Sequence, residues 1–187
     1  MLFTLHKTFV MAGLLLMAFL PDGCRTKHDN SKASEVDSML NVVYSLQDTI
    51  SSENVQILHE ISQVLNDDLS LVYDSTYEEV INSPVTTQYA SLFTDVESCA
   101  LACNSYHEEI FLLEGDLREL LDLIRNESLP EDSLMRMIAY ESDLLRDMQT
   151  RIDTNLEKIT RNIGSFYKLK PQMDSLLKGS GVVIRTP

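Results

Sequence analysis

The chain has no tryptophan, and its 187 residues include only six glycines, five prolines and three cysteines. Such scarcity of turn formers argues against a fold built from many short strands and favours helices. Catalytic and cofactor signatures are also missing. There is no Gly-x-Ser-x-Gly, no glycine-rich phosphate loop, no Cys-x-x-Cys-His, no calcium loop, no histidine at position 63 to complete a zinc-protease helix with His59-Glu60, and no Glu-x-x-His pair. Lysine and arginine are absent from Ala33 to Leu117, a stretch that holds 16 acidic residues, whereas Arg118 onward holds 11 charges of each sign. The net charge of -14 gives an overall field of the wrong sign for nucleic acid or anionic lipid, so a cationic partner is the electrostatically compatible kind. The bland reading of the same charge is a solvated, colloidally stable surface.

Among what is present, the first two dozen residues are the most specific. Lys7 precedes an apolar run from Phe9 to Leu20, which is shorter than the roughly 20 helical residues needed to cross a hydrocarbon core and stops at Pro21. That pattern reads as a signal peptide over residues 1–23. The block Leu20-Pro21-Asp22-Gly23-Cys24 then resembles the lipobox of bacterial lipoproteins, with Pro21 where that family usually has leucine. The resemblance implies that Cys24 carries lipid and becomes the mature N-terminus. It also implies anchoring to a bacterial cell envelope, and Arg25 after the cysteine leans towards the outer membrane. Several acyl chains together anchor stably, since each buried CH₂ contributes about 0.8 kcal/mol and one chain alone is marginal.

Residues 24–33 read as the lipidated cysteine and a flexible polar tether, 34–178 as one all-α domain, and 179–187, with Gly179-Ser180-Gly181, as a flexible tail. Three segments with helical periodicity make up the domain: Ser34 to Asn82, Val85 to Asn126 and Glu131 to Leu169. Ser83-Pro84 and Ser128-Leu129-Pro130 separate them, because proline removes an amide donor and restricts the residue before it. Ser128 and Glu131 have the spacing of a capping box. In the middle segment Tyr89, Leu92, Val96, Cys99, Cys103, Tyr106, Ile110, Leu113, Leu117, Leu120 and Ile124 alternate at three and four residues, the seam of a left-handed coiled coil. The third segment has a looser seam interrupted by Glu141 and Asn155, and Pro171 is expected to end or kink it.

The expected architecture is an elongated, antiparallel, up-down-up three-helix bundle. If the polar stretch Ser51 to Asn54 breaks the first segment, four helices result. Antiparallel neighbours would bring Lys158, Arg161, Lys168 and Lys170 beside the acids Asp67, Asp68, Asp74, Glu78, Glu79, Asp95 and Glu97 near the first turn. A coiled-coil seam can be satisfied within one chain or by self-association.

Cys99, Cys103 and His107 follow one another at four-residue steps, with Asp95 one step earlier, so on a helix they share a face. Thiolate and imidazole so placed could hold Cu(I) or Zn²⁺ with a ligand from a neighbouring helix. The competing reading is core packing, since both cysteines occupy seam positions and free cysteine behaves as a small hydrophobe. A disulfide between them is disfavoured, because residues four apart on a helix have nearly parallel side-chain directions. The sequence thus predicts a non-enzymatic, lipid-anchored envelope protein without cofactor, acting as spacer, adaptor or protein-binding surface. The alternative is a metal- or small-ligand-binding lipoprotein that uses the two cysteines and His107.

Overall fold

The computed structural model describes residues 29–50, 53–75 and 77–179. Their order is α1 (Asp29–Ile50), α2 (Glu53–Tyr73), the single turn α3 (Glu78–Ile81), α4 (Pro84–Arg125) and α5 (Glu131–Gly179), with no strand among the described residues. The four longer helices pack on one another: α4 lies against α5, and both α1 and α2 lie against each of them. Contacts between numbered residues fix the directions. Arg118 of α4 donates to Tyr44 of α1 at 3.1 Å while Lys32, earlier in α1, reaches Glu131 beyond the end of α4, and Ser62 and Asp68 of α2 meet Glu97 and Tyr89 of α4 in reverse order, so α4 runs opposite to both. Arg151 meets Glu109 and Asn155 meets Cys99, so α4 and α5 are likewise antiparallel.

Ten of the eleven seam positions of α4 are buried, and Tyr106 is half-buried. Leu117 and Ile110 are fully enclosed, and a leucine or isoleucine taken from water to that extent contributes about 1.5–3 kcal/mol. The opposing stripe of α5 buries Leu134, Ile138, Leu145, Met148, Ile152, Ile159 and Phe166, together with Glu141 and Asn155. From α1 come Val36, Met39, Leu40, Val43, Leu46 and Ile50, and from α2 Leu58, Ile61, Leu65, Leu69 and Val72. All these residues form one continuous core.

Several boundaries differ from the sequence expectation. The proposed tether is helical from Asp29 rather than flexible to residue 33, because Lys32 lays its stem on the bundle and donates to Glu131 Oε1 at 2.9 Å. The first segment stops at Tyr73 instead of running to Asn82. Between the end of α2 and the start of α4, α3 buries Val80, whose carbonyl accepts from Thr86 Oγ1 at 2.7 Å. Ser83 then caps α4, its side chain accepting from Thr86 N at 3.0 Å, with Pro84 in the first turn where no amide is needed.

The capping box expected from Ser128 and Glu131 does not form. The helix begins only at Glu131, Ser128 Oγ turns to Asn126 O at 3.5 Å, and the Glu131 carboxylate accepts from Lys32. Preceding it, α4 ends in a left-handed turn at Glu127 (φ 51°), with Ser128 N bonded to Leu123 O at 3.1 Å and Glu127 N to Ile124 O at 3.2 Å. Pro171 does not end α5, which continues to Gly179. An interior proline costs about 3 kcal/mol, but Met173 and Leu177 beyond it are fully buried and each contributes about 1.5–3 kcal/mol, enough to carry the helix on. The choice between a break and a kink in the first segment falls on Ser51 and Ser52, outside the described residues. The signal peptide, Cys24 and the tail beyond Gly179 lie outside them as well.

Several buried polar groups interrupt the core, and two of them, Asp68 and Glu141, are carboxyl groups. Asp68 of α2 accepts from Tyr89 and from Lys170 Nζ of α5 at 3.2 Å, and Lys170 also pairs with Asp174, so one cluster joins three helices. This pair realises one of the expected meetings between the basic end of the last helix and the acids near the first turn. Burial of Tyr89 and the adjacent Asp68 push its phenol pKa upward. Burial works against the charge of Lys170, but Asp174 and Asp68 outweigh it and hold its pKa up. Glu141 is the second group: its side chain is buried and Oε2 has no hydrogen-bond partner.

Candidate functional site

Cys99 and Cys103 put two small side chains on the α4 seam where a heptad would otherwise place leucine, and Asn155 of α5 fills the space they leave. Asn155 is buried; its amide donates to Cys99 O at 3.3 Å and reaches Cys103 Sγ at 3.4 Å. Asn162, two turns along α5, brings its amide to 3.5 Å from Cys99 Sγ. Both cysteines are free thiols. The result is a polar layer of amide and sulfur in an apolar seam. It forms the floor of a groove of about 640 Å³ between the two helices.

Helical spacing brings the rim of that groove together. Arg151, Lys158, Arg161 and Asn162 recur at intervals that keep them on the α4-facing edge of α5, while Asp95, Ala102 and Tyr106 do the same on α4. Arg151 is committed. It forks onto Glu109 at 2.6 and 3.3 Å, donates to Asp147 Oδ2 at 2.9 Å and lies 5.5 Å over the Tyr106 ring. The bond from Arg151, more than the burial that opposes it, lowers the pKa of the Glu109 carboxyl. Lys158 and Arg161 are exposed, and among the described residues neither reaches a carboxylate as an ion pair. They lie along the same groove as Asp95, one of the acids they were expected to lie beside, but without a salt bridge to it. Of that basic end, Lys170 makes such a pair.

Of the residues the sequence singled out, Cys99 lines the groove and Cys103 lies behind it in the core, while His107 is exposed and takes no part in the lining. The three are not gathered into one site. Among the described residues no group of three or more His, Cys, Asp or Glu side chains is placed to hold a metal. The residues that sequence reasoning did not assign to a site are Arg151, Lys158, Arg161, Asn155 and Asn162. Their signal was present: Asn155 is a polar residue on the seam facing the cysteines, and the cations recur at steps of seven and three residues on the same side of the helix.

The thiols are poor nucleophiles. Burial raises the pKa of Cys99, with Lys158 opposing it, and burial raises that of Cys103, with Cys99 adding to the effect. A raised pKa leaves less thiolate at neutral pH and so slower chemistry with electrophiles. Iodoacetamide at pH 7.5 is therefore expected to modify neither residue in the native protein on a timescale that completes the reaction in denaturant. Peptide mass analysis after each treatment checks this, and equal rates at Cys99 under the two conditions would contradict its burial.

No protein-family model matches the chain, and neither does any curated protein or solved structure. The functional reading therefore rests on the residues themselves. No described helix is long and apolar enough to cross a membrane.

Proposed function

We propose that this is a non-enzymatic, lipid-anchored protein of the bacterial envelope whose helices form a rigid rod that presents a protein-binding surface. The lipobox-like block ending in Cys24 supports the anchor. In this reading α1 and α2 act as one interrupted rod, and the bundle is the up-down-up, three-layered arrangement expected from the sequence. The contacts of Lys32 with Glu131 and of Asp68 with Lys170 favour it, because they lie at opposite ends of a parallel pairing of the first layer with α5. A helix of the length of α5 spans about 73 Å at 1.5 Å per residue, which suits a spacer.

The observation that favours an adaptor over a bare spacer is apolar exposure. Leu101, Phe111 and Leu112 stand in solvent on α4, Phe111 with 72% of its surface free, and Met135, Tyr140 and Leu144 are exposed on α5. Single exposed apolar residues are ordinary, but several large ones on two helices that otherwise bury their apolar faces support a role in binding a partner.

Two variants separate the parts of the proposal. Cys24→Ser is expected to move the protein from the membrane fraction to the soluble fraction of lysed cells, and continued sedimentation with membranes would remove the lipid anchor. Phe111→Asp with Leu112→Asp is expected to leave helix content unchanged and to abolish cross-linking to the protein captured by the parent chain. Capture that survives both changes would place the binding surface elsewhere.

A further inference from the structure

We propose that the groove between α4 and α5 binds a small organic anion, carrying phosphate or carboxylate, through Lys158 and Arg161. The chain has 29 acidic residues against 15 basic ones, so carboxylates to neutralise a cation are abundant. Even so, these two cations, one helical turn apart at the rim of a cavity, are left without an ion-pair partner among the described residues. Arg151 at the other end of the groove shows the alternative: Glu109 and Asp147 neutralise it, and it serves as a fixed wall against Tyr106.

The volume of about 640 Å³ falls within the roughly 300–1,000 Å³ of small-molecule sites. Below the rim Asn155 is already spent on Cys99 and Cys103, but the Asn162 amide makes only a long contact to sulfur and can turn to an anionic oxygen. Asp95 is the only acidic residue in the lining. It offers an acceptor to a hydroxyl or ammonium group on the same ligand and disfavours a polyanion that would fill the whole groove. The site lies about 36 Å along α5 from its start at Glu131, by the rise of 24 residues. If the proposed anchor holds that end at the membrane, a soluble anion reaches the groove more readily than a lipid headgroup.

The test is calorimetric titration of the full-length protein, kept in nonionic detergent, with glycerol 3-phosphate and with citrate at low ionic strength. Saturable binding of one equivalent of at least one of them is expected, weakened at least tenfold by Lys158→Gln combined with Arg161→Gln. The pair Lys168→Gln and Lys178→Gln changes net charge equally and is expected to leave binding intact. Bound anion is also expected to slow the residual alkylation of Cys99. Failure of both anions to bind, equal binding by the first double variant, or equal loss in the second would each overturn the site. So would binding seen only with phosphatidylglycerol vesicles. Thermal melting of each variant reports on folding, and the assay reads the groove whether or not Cys24 carries lipid.

Discussion

Replacing Glu141 with leucine is expected to raise the unfolding free energy by about 1–3 kcal/mol at neutral pH, the penalty typical of a buried polar group without a partner. Glu141 occupies a seam position of α5, is buried and leaves Oε2 unsatisfied. Burial, and then the charge of Asp116 on α4, raise its pKa above the ordinary 4.5. The sign of the pH dependence follows. Below the ordinary value the carboxyl is protonated whether the chain is folded or not, and it costs no ionisation energy. As pH climbs from there through the raised value, the unfolded chain releases the proton freely while the folded one holds it or ionises in a dry seam, so stability falls. The advantage of Glu141→Leu should therefore grow with pH over that window. Glu141→Gln should remove that residue's share of the pH dependence while keeping the shape. Urea unfolding of the three proteins at pH 4 and pH 7.5 measures this, and a leucine variant less stable than the parent at pH 7.5 would mean that the carboxylate has a partner after all.

The second large effect is opposite in sign. Lys170→Met keeps the side-chain stem but leaves Asp68, buried beneath it, with only the Tyr89 hydroxyl to balance its charge. Breaking a fully buried pair costs about 3–5 kcal/mol, but Lys170 is itself partly exposed, which reduces the expected loss to about 1–3 kcal/mol. Adding Asp68→Asn should recover much of that loss, because the uncompensated charge is then gone; a double-mutant cycle reads the coupling directly. The same cluster contributes to the alkaline limit of stability. Both Tyr89 and Lys170 have folded pKa values raised above their ordinary 10.0 and 10.5, so their contributions are complete below about pH 10 and are lost as pH rises beyond it. Tyr89→Phe and Lys170→Met should each flatten the alkaline side of the stability profile. An unchanged profile in both would place the titrating groups elsewhere.

Most of the helical architecture was legible because it is written in a repeat. The α4 seam needed only the spacing of its apolar residues, and Ser83-Pro84 marked its start within one residue. What was not legible depended on partners far away in the chain. Lys32 reads as tether until Glu131, 99 residues later, gives it a place to dock. Pro171 reads as an end or a kink because its local cost is plain, while the burial of Met173 and Leu177 that carries the helix past it is a property of the assembled core. The capping box was misread because the helix begins only at Glu131, three residues past Ser128, and the Glu131 carboxylate also accepts from Lys32.

The groove was half legible. Cys99, Cys103 and Asn155 were visible as departures from an apolar seam, but helical spacing alone could not show that His107 turns to solvent while its two neighbours turn inward. Nor could charge counting show which of four nearby cations would find carboxylates. Lys170 reaches Asp68, whereas Lys158 and Arg161, only two to three turns earlier, face the groove.

The intact mass of the protein extracted from its own membrane in mild detergent tests the central claim most directly. The account predicts a chain that begins at Cys24, lacks residues 1–23 and carries the added mass of acyl chains on that cysteine. A chain that retains residues 1–23, or one cut at Cys24 without added lipid, would contradict the anchored rod.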